Sequence, residues 1–219
     1  MDTQNKQKKK KECFLKYFVY DFVKVTGILP MLLWLRPKYV YENKEAKKKI
    51  KGRAIFIANH NSMFDPVVMH CAVWYRRMYT VAMQELFELN KVAKWFFTKI
   101  LCIPINRENV NIGNFKEIIK TLKEDKAVGV FPEGHINIKK DEGIDFFKSG
   151  VVLMAFKSKA PIIPMVFLKR KKWWHRQIVV VGEAIDVYKE NMTLNDIAET
   201  SEILYKKEQQ LLEINNKKD

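Results

Sequence analysis

The sequence predicts an α/β protein: a mixed, largely parallel sheet flanked by helices, preceded by an N-terminal amphipathic helical hairpin. Three observations carry this. Short apolar runs bounded by turn-forming residues alternate with helix-length segments from residue 54 to about 214. The chain has 219 residues, 47% of them hydrophobic, enough for a full buried core in one domain. Residues 13–35 are mostly apolar and aromatic, with charges at helical spacing. Residues 1–36 therefore read as a basic tail with membrane-associating helices, and 37–219 as the folded domain.

The tail comes first. Residues 1–12 carry five lysines, which suits either a solvated tail or an anionic membrane surface. In 13–35, Lys16, Asp21 and Lys24 share a helical face with Tyr17 and Tyr20. Phe14, Phe18, Phe22 and Val25 line the opposite face. A charge at a bilayer centre costs roughly 2.5–3.5 kcal/mol, so this pattern favours lying in the interface over crossing. Gly27 and Pro30 interrupt it, and the apolar MLLWL piece that follows, with Trp34, predicts a second short helix after a bend. No A-x-A-like site follows the apolar run, which argues against a cleaved signal peptide.

A basic connector (44–53) leads into strands expected at 54–58, 78–82, 102–105, 127–131, 161–167 and 177–181. Helices are expected at 66–76, 86–99, 112–124, 148–158 and about 193–214. The segment KRKKWWHR (169–176) reads as a strand connection whose Trp173 and Trp174 suit the headgroup level of a membrane.

Charge narrows the partners. Forty Lys and Arg against 25 Asp and Glu give +15, which favours an anionic partner: nucleic acid, acidic lipid, a phosphorylated substrate or an acidic carrier protein. The basic runs lie in tails and connectors, and no nucleic-acid-binding motif accompanies them, so nucleic acid is not expected. Cys13, Cys71 and Cys102 form no CxxC pair and no zinc spacing, so neither a disulfide scaffold nor a metal site is expected, and a reducing cytosolic setting fits.

Four segments carry candidate chemistry. In A-N-H-N-S-M-F-D-P (58–66), His60 directly follows a strand, and Asp65 precedes Pro66 as an N-cap precedes N1 of a helix. Five residues apart on a helix, the two would point about 140° away from each other, so a loop must join them. A carboxylate on one imidazole nitrogen makes the other a base for a hydroxyl proton. A loop histidine beside a helix-capping aspartate would show the same spacing. Arg107 ends C-I-P-I-N-R (102–107), where its guanidinium can fork onto a phosphate. In F-P-E-G (131–134), Glu133 can accept a hydrogen bond from a substrate hydroxyl and Gly134 permits close backbone approach. The run A-P-I-I-P-M (160–165) reads as a packing strand. His60, Arg107 and Glu133 each sit just past the C-terminal end of a predicted strand, the edge where open α/β sheets bind ligands.

Taken together, these segments resemble the glycerolipid acyltransferase family, in particular its bacterial 1-acyl-glycerol-3-phosphate acyltransferases. The HxxxxD motif corresponds to residues 60–65, the strand ending in Arg to 102–107, F-P-E-G to 131–134 and P-I-I-P to 161–164. M-Q-E-L-F (83–87) and F-K-S-G (147–150) also look like family sequence, and the likeness spans roughly residues 50–185. It implies an acyltransferase with an acyl-CoA or acyl-carrier-protein donor and a lysophospholipid acceptor, placed on the cytoplasmic face of the cell membrane as a peripheral or monotopic protein. His60 would be the general base, Asp65 its orienting group and Arg107 the phosphate ligand. No cofactor or metal is implied. The chain departs from the family pattern twice. His135 and Ile136 stand where Thr-Arg often follows F-P-E-G, and Met83 and Gln84 stand where a Lys commonly precedes E-L-F. Both departures thin the expected phosphate site, and Lys148 or the Lys139–Lys140 pair is the candidate replacement. Another lysolipid or an amino-acid lipid is the alternative acceptor, and a non-catalytic basic binding module the alternative class.

Overall fold

The computed structural model describes residues 2–106, 112–134, 149–170, 172, 174–190 and 192–216. Seven strands form one sheet: β1 (Lys38–Tyr41), β2 (Ala54–Ala58), β3 (Met78–Met83), β4 (Cys102–Ile105), β5 (Ala127–Val130), β6 (Ile162–Phe167) and β7 (Ile178–Val181). Their order is β1-β7-β6-β2-β5-β3-β4, and every neighbouring pair is parallel except β6 and β7. The helices are α1 (Asp2–Leu35), α2 (Asp65–Ala72), α3 (Glu85–Glu88), α4 (Lys91–Lys99), α5 (Ile112–Lys123), α6 (Gly150–Ser158) and α7 (Leu194–Asn216).

Strand alternation builds two cores. Along β2, Ile55 and Ile57 point into a core shared with α5, α6 and α7, while Ala54, Phe56 and Ala58 point into one shared with α1 and α2. With both faces covered, the central strands are apolar without alternation, which is why short continuous apolar runs mark them in the sequence. Gly129 in β5 lets α2 lie close to the sheet: a Cβ there would stand 2.6 Å from the Met69 sulfur. That close approach brings the start of α2, with Asp65, down to the end of β2.

The structure differs from the sequence expectations, or decides what they left open, in four places. The N-terminal hairpin is a single helix, α1, with Pro30 inside it. Proline in a helix interior typically costs about 3 kcal/mol. Here Ile28 before it and Leu32 and Leu35 after it pack into one core, which favours a continuous rod over a bend. The helix ends at Arg36, whose φ is 42°, ahead of Pro37. Second, the structure decides which side of α1 docks, which the pattern alone left open. Tyr17 and Tyr20, placed with the polar face, are buried against the domain, and the opposite apolar stripe is exposed: Tyr20 is 4% accessible and Phe22 59%. Third, the helix expected at 86–99 is two, because Asn90 is extended (φ −168°) and its side chain caps α4 by accepting from the Ala93 N–H at 2.8 Å. Fourth, β1 has no counterpart among the expected strands, since a four-residue edge strand beginning with Lys is too short for alternation to show.

Candidate active site

The chemistry gathers where β2, β5 and β3 end. Immediately after β2, Asn59 is clamped to β6: its amide donates to the Phe167 carbonyl at 3.1 Å, and its side-chain oxygen accepts from the Phe167 N–H at 2.7 Å. The Asn61 amide donates to the same carbonyl at 3.2 Å. These bonds pin both sides of His60 to a central strand.

Asp65 holds the imidazole. Its Oδ2 accepts from His60 Nδ1 at 3.1 Å and from the backbone N–H groups of Asn61 and Ser62 at 2.6 and 2.7 Å. The carboxylate thus closes the loop behind it, whereas an N-cap side chain would bond N–H groups ahead of it in the helix. With Asp65 an acceptor, Nδ1 carries the proton and Nε2 keeps its lone pair. The ring stacks on Phe131 from the end of β5, centroids 4.3 Å apart, which fixes its plane. The turn at Phe131 closes through a 3.1 Å bond from the Gly134 N–H to the Phe131 carbonyl, and Gly134 has φ 75°, a conformation that suits glycine.

His60 opens on a cavity of about 960 Å³ with a predominantly apolar lining. Ile28 and Met31 of α1 and Phe96 and Phe97 of α4 contribute to that lining. The cavity runs from His60 and Phe131 back to Thr80 and Cys102, near the starts of β3 and β4. There it meets a polar cluster in which His70 Nε2 and the Thr80 hydroxyl are 3.0 Å apart, and His70 Nδ1 and the Tyr20 hydroxyl 3.3 Å. Burial pushes the His70 imidazole down to about 4, so it is neutral near pH 7. A smaller cleft of about 280 Å³ is lined by Ser62 and Phe64 of the His60–Asp65 loop together with Lys169, Arg170 and Lys172.

The remaining expected residues divide. Glu133 is 2% exposed, and both carboxyl oxygens are inside the protein, so the direct hydrogen bond to a substrate hydroxyl foreseen from the sequence is not available in this arrangement. Within electrostatic reach lies a residue that the sequence reasoning missed, Glu208 of α7. Glu208 is 0% exposed, and neither of its oxygens has a hydrogen-bond partner among the described residues. Burial, reinforced by Glu133, pushes its carboxyl well above the usual carboxylate range. A glutamate on the inward face of an amphipathic helix is the signal that could have found it. Arg107, Lys148 and the Lys139–Lys140 pair lie outside the described residues. Among the described residues no cluster of three or more His, Cys, Asp or Glu forms.

Of the residues foreseen to touch a membrane, Phe18 and Phe22 are exposed. Phe14 and Trp173 lie outside the described side chains. Trp174 is half-exposed, with its carbonyl accepting from the Arg36 guanidinium. Trp34 is instead turned toward the domain, its ring 5.6 Å from that of Phe64 and 4.4 Å from the Arg170 guanidinium. Tyr17–Leu35 is long and apolar enough to cross a membrane by length and composition.

Comparison with known proteins shows the family of the chain. Residues 38–168 match the family model described as Acyltransferase. The 1-acyl-sn-glycerol-3-phosphate acyltransferase of Bacillus subtilis is 32% identical over 139 residues, 64% of this chain and 67% of that protein. The enzyme of the same name from Streptococcus pneumoniae is 27% identical over 169 residues, covering 76% of this chain and 60% of that one. Among solved structures, the 1-acyl-sn-glycerophosphate (LPA) acyltransferase PlsC from Thermotoga maritima shares the fold, with a TM-score of 0.65 at 20% identity over 98% of this chain and 84% of that chain. Matched by the family model over more than half its length, the chain belongs to the acyltransferase family.

Proposed function

We propose that this acyltransferase moves a fatty acyl group from a thioester, acyl-CoA or acyl-carrier protein, to the sn-2 hydroxyl of 1-acyl-glycerol-3-phosphate, giving phosphatidic acid at an anionic membrane surface. The observation that carries the reading is an oriented His60 base opening onto an apolar cavity of about 960 Å³ at the C-terminal edge of the sheet. The names of the similar proteins support the acceptor. His60 Nε2 takes the hydroxyl proton as the oxygen bonds to the thioester carbonyl carbon. The carbon–sulfur bond then breaks, and the proton on His60 passes to the leaving thiolate. Asp65 keeps the imidazole in the required tautomer and stabilises it while it is charged. The cavity takes a lipid chain away from water, and Arg107 is the phosphate ligand.

His60→Ala should lower kcat/KM by about 10²–10⁴ with the melting temperature unchanged, and Asp65→Asn should lower it too by mis-setting the tautomer. The assay follows labelled acyl transfer to lysophosphatidic acid and, in parallel, to a choline-capped lysolipid. Full turnover in His60→Ala would refute the mechanism. A preference for the capped lipid would favour the alternative acceptor, for which the missing Thr-Arg after residues 131–134 is the specific sign.

A further inference from the structure

Helix α4 is unusual within this fold. Its sequence, KVAKWFFTK, is amphipathic, yet none of its nine residues is buried. By contrast Val68, Met69 and Cys71 of the similarly short α2 are buried in the core. On α4, Val92 is 73% and Trp95 53% exposed, with Phe96 beside them and Leu89 just before the helix. One turn apart, these residues form an apolar patch, and within the helix only Phe96 and Phe97 line the cavity, so Val92 and Trp95 face away from it. An isolated helix of nine residues is marginal in water, so an exposed Trp-bearing face is not needed to hold it.

Its surroundings say what covers the patch. Helix α4 touches α1, and both helices line the cavity beside His60. On the outer side, α1 presents Phe22, Val25 and Leu29 to solvent. At the catalytic loop between them, Met63 and Phe64 are also exposed, and Met63 lines the cavity. Exposed apolar side chains thus occur on α1, on the His60 loop and on α4, three elements that also line the apolar cavity. Exposed Lys91 and Lys94 share α4 with the patch in a chain of net charge +15. Tryptophan and lysine stems suit the headgroup boundary, and cations favour an acidic leaflet.

We propose that α4 is a second lipid-docking helix, and that with α1 it brackets a lateral mouth through which lipid chains pass from an anionic bilayer into the cavity beside His60. This rests on reading that cavity as a lipid-chain site. A protein ligand for the patch would have no need of a helix that also lines the cavity, whereas a bilayer delivers chains to that cavity directly.

The test uses the full chain, mixed phosphatidylglycerol and phosphatidylcholine vesicles, and two acceptors: a vesicle-borne lysophosphatidic acid and a short-chain, monomerically soluble one. The variant Val92→Asp/Trp95→Asp changes α4 outside the cavity lining, and Phe22→Asp/Val25→Asp is its counterpart on α1. The α4 variant should lose at least ~10-fold in kcat/KM on the vesicle-borne acceptor and stay within about twofold on the soluble one, since tenfold corresponds to 1.4 kcal/mol. The part of the tryptophan emission that disappears in Trp95→Phe should be quenched by brominated phosphatidylcholine. Equal losses on both acceptors would make α4 a structural support of the site and overturn the proposal. So would unchanged activity on vesicles, unquenched Trp95, or a loss confined to an acyl-carrier-protein donor, which would make the patch a protein-docking surface. If the wild type acylated no acceptor but Trp95 were quenched and the α4 variant left vesicles, lipid docking would stand and the enzymatic reading would fall.

Discussion

Helix α7 turns Leu204 and Leu211 inward, and even Glu208 between them has no contact with solvent. Helix α1 does the reverse along its outer stripe, although its Ile28 and Leu35 do pack inward. It docks through Tyr20, through the Asp21 carboxylate, which takes two bonds from Arg77 at 2.9 and 2.6 Å, and through Lys24, which donates to the Arg76 carbonyl at 2.6 Å. Phe18, Phe22, Val25, Leu29 and Leu33 are left outside. Both are long terminal helices with one apolar side, so the difference lies in what each side meets. The sheet face under α7 is apolar, and burial there follows the hydrophobic effect. The edge under α1 offers Arg76, Arg77, His70 and the Met78 N–H, which reward hydrogen-bonding side chains and free the apolar stripe for another medium.

Paired substitutions test the contrast. Leu211→Ala should lower stability by about 2–5 kcal/mol in denaturant unfolding, since it empties a closed site. The formally identical Leu29→Ala on α1 should stay within about 0.5 kcal/mol, as exposed changes do. A large loss at Leu29 would mean that the stripe is covered by the protein itself.

Tyr20→Phe is next in size. It leaves the buried Met78 N–H, now 3.1 Å from the Tyr20 hydroxyl, without that acceptor. The expected cost is about 1–3 kcal/mol, accompanied by faster hydrogen exchange at Met78. This also shows why point changes on the outer stripe probe membrane binding better than removal of residues 1–36, which would strip Tyr20, Ile28 and Leu35 from the core.

The smallest effect is a pH slope. The folded Glu208 carboxyl keeps its proton at pH values where the unfolded one, with an ordinary pKa near 4.5, has lost it. The folded state therefore binds more protons, and stability should fall as pH rises above about 4.5, until the raised folded value is passed. Each pH unit in that window is worth up to ~1.4 kcal/mol. Glu208→Gln keeps the shape without the titration and should flatten this part of the stability–pH curve. A variant curve parallel to that of the wild type would show that Glu208 is charged in the fold.

Much of the site was legible because it is local. His60 and Asp65 lie within six residues, directly after an apolar run, and the loop that joins them closes on its own backbone N–H groups. F-P-E-G could be recognised as a turn at the end of a strand, but the direction in which Glu133 points could not. Its burial, within electrostatic reach of Glu208 some seventy residues further on, is set by the tertiary fold.

The sequence by itself determined the strand and helix alternation, the largely parallel sheet, the His60–Asp65 pair and the presence of an apolar stripe on the N-terminal helix. Each of these is written in contacts between near neighbours, where periods of 2 and 3.6 and the geometry of a short loop leave few alternatives. Only the tertiary structure decided that α1 runs unbroken through Pro30, that its hydrogen-bonding side docks while its apolar side faces out, that Glu133 and Glu208 share the interior, and that α1 and α4 flank one cavity. These depend on pairings between segments far apart in the chain. Periodicity shows that a helix has two sides, but the side that turns inward is chosen by the surface it meets.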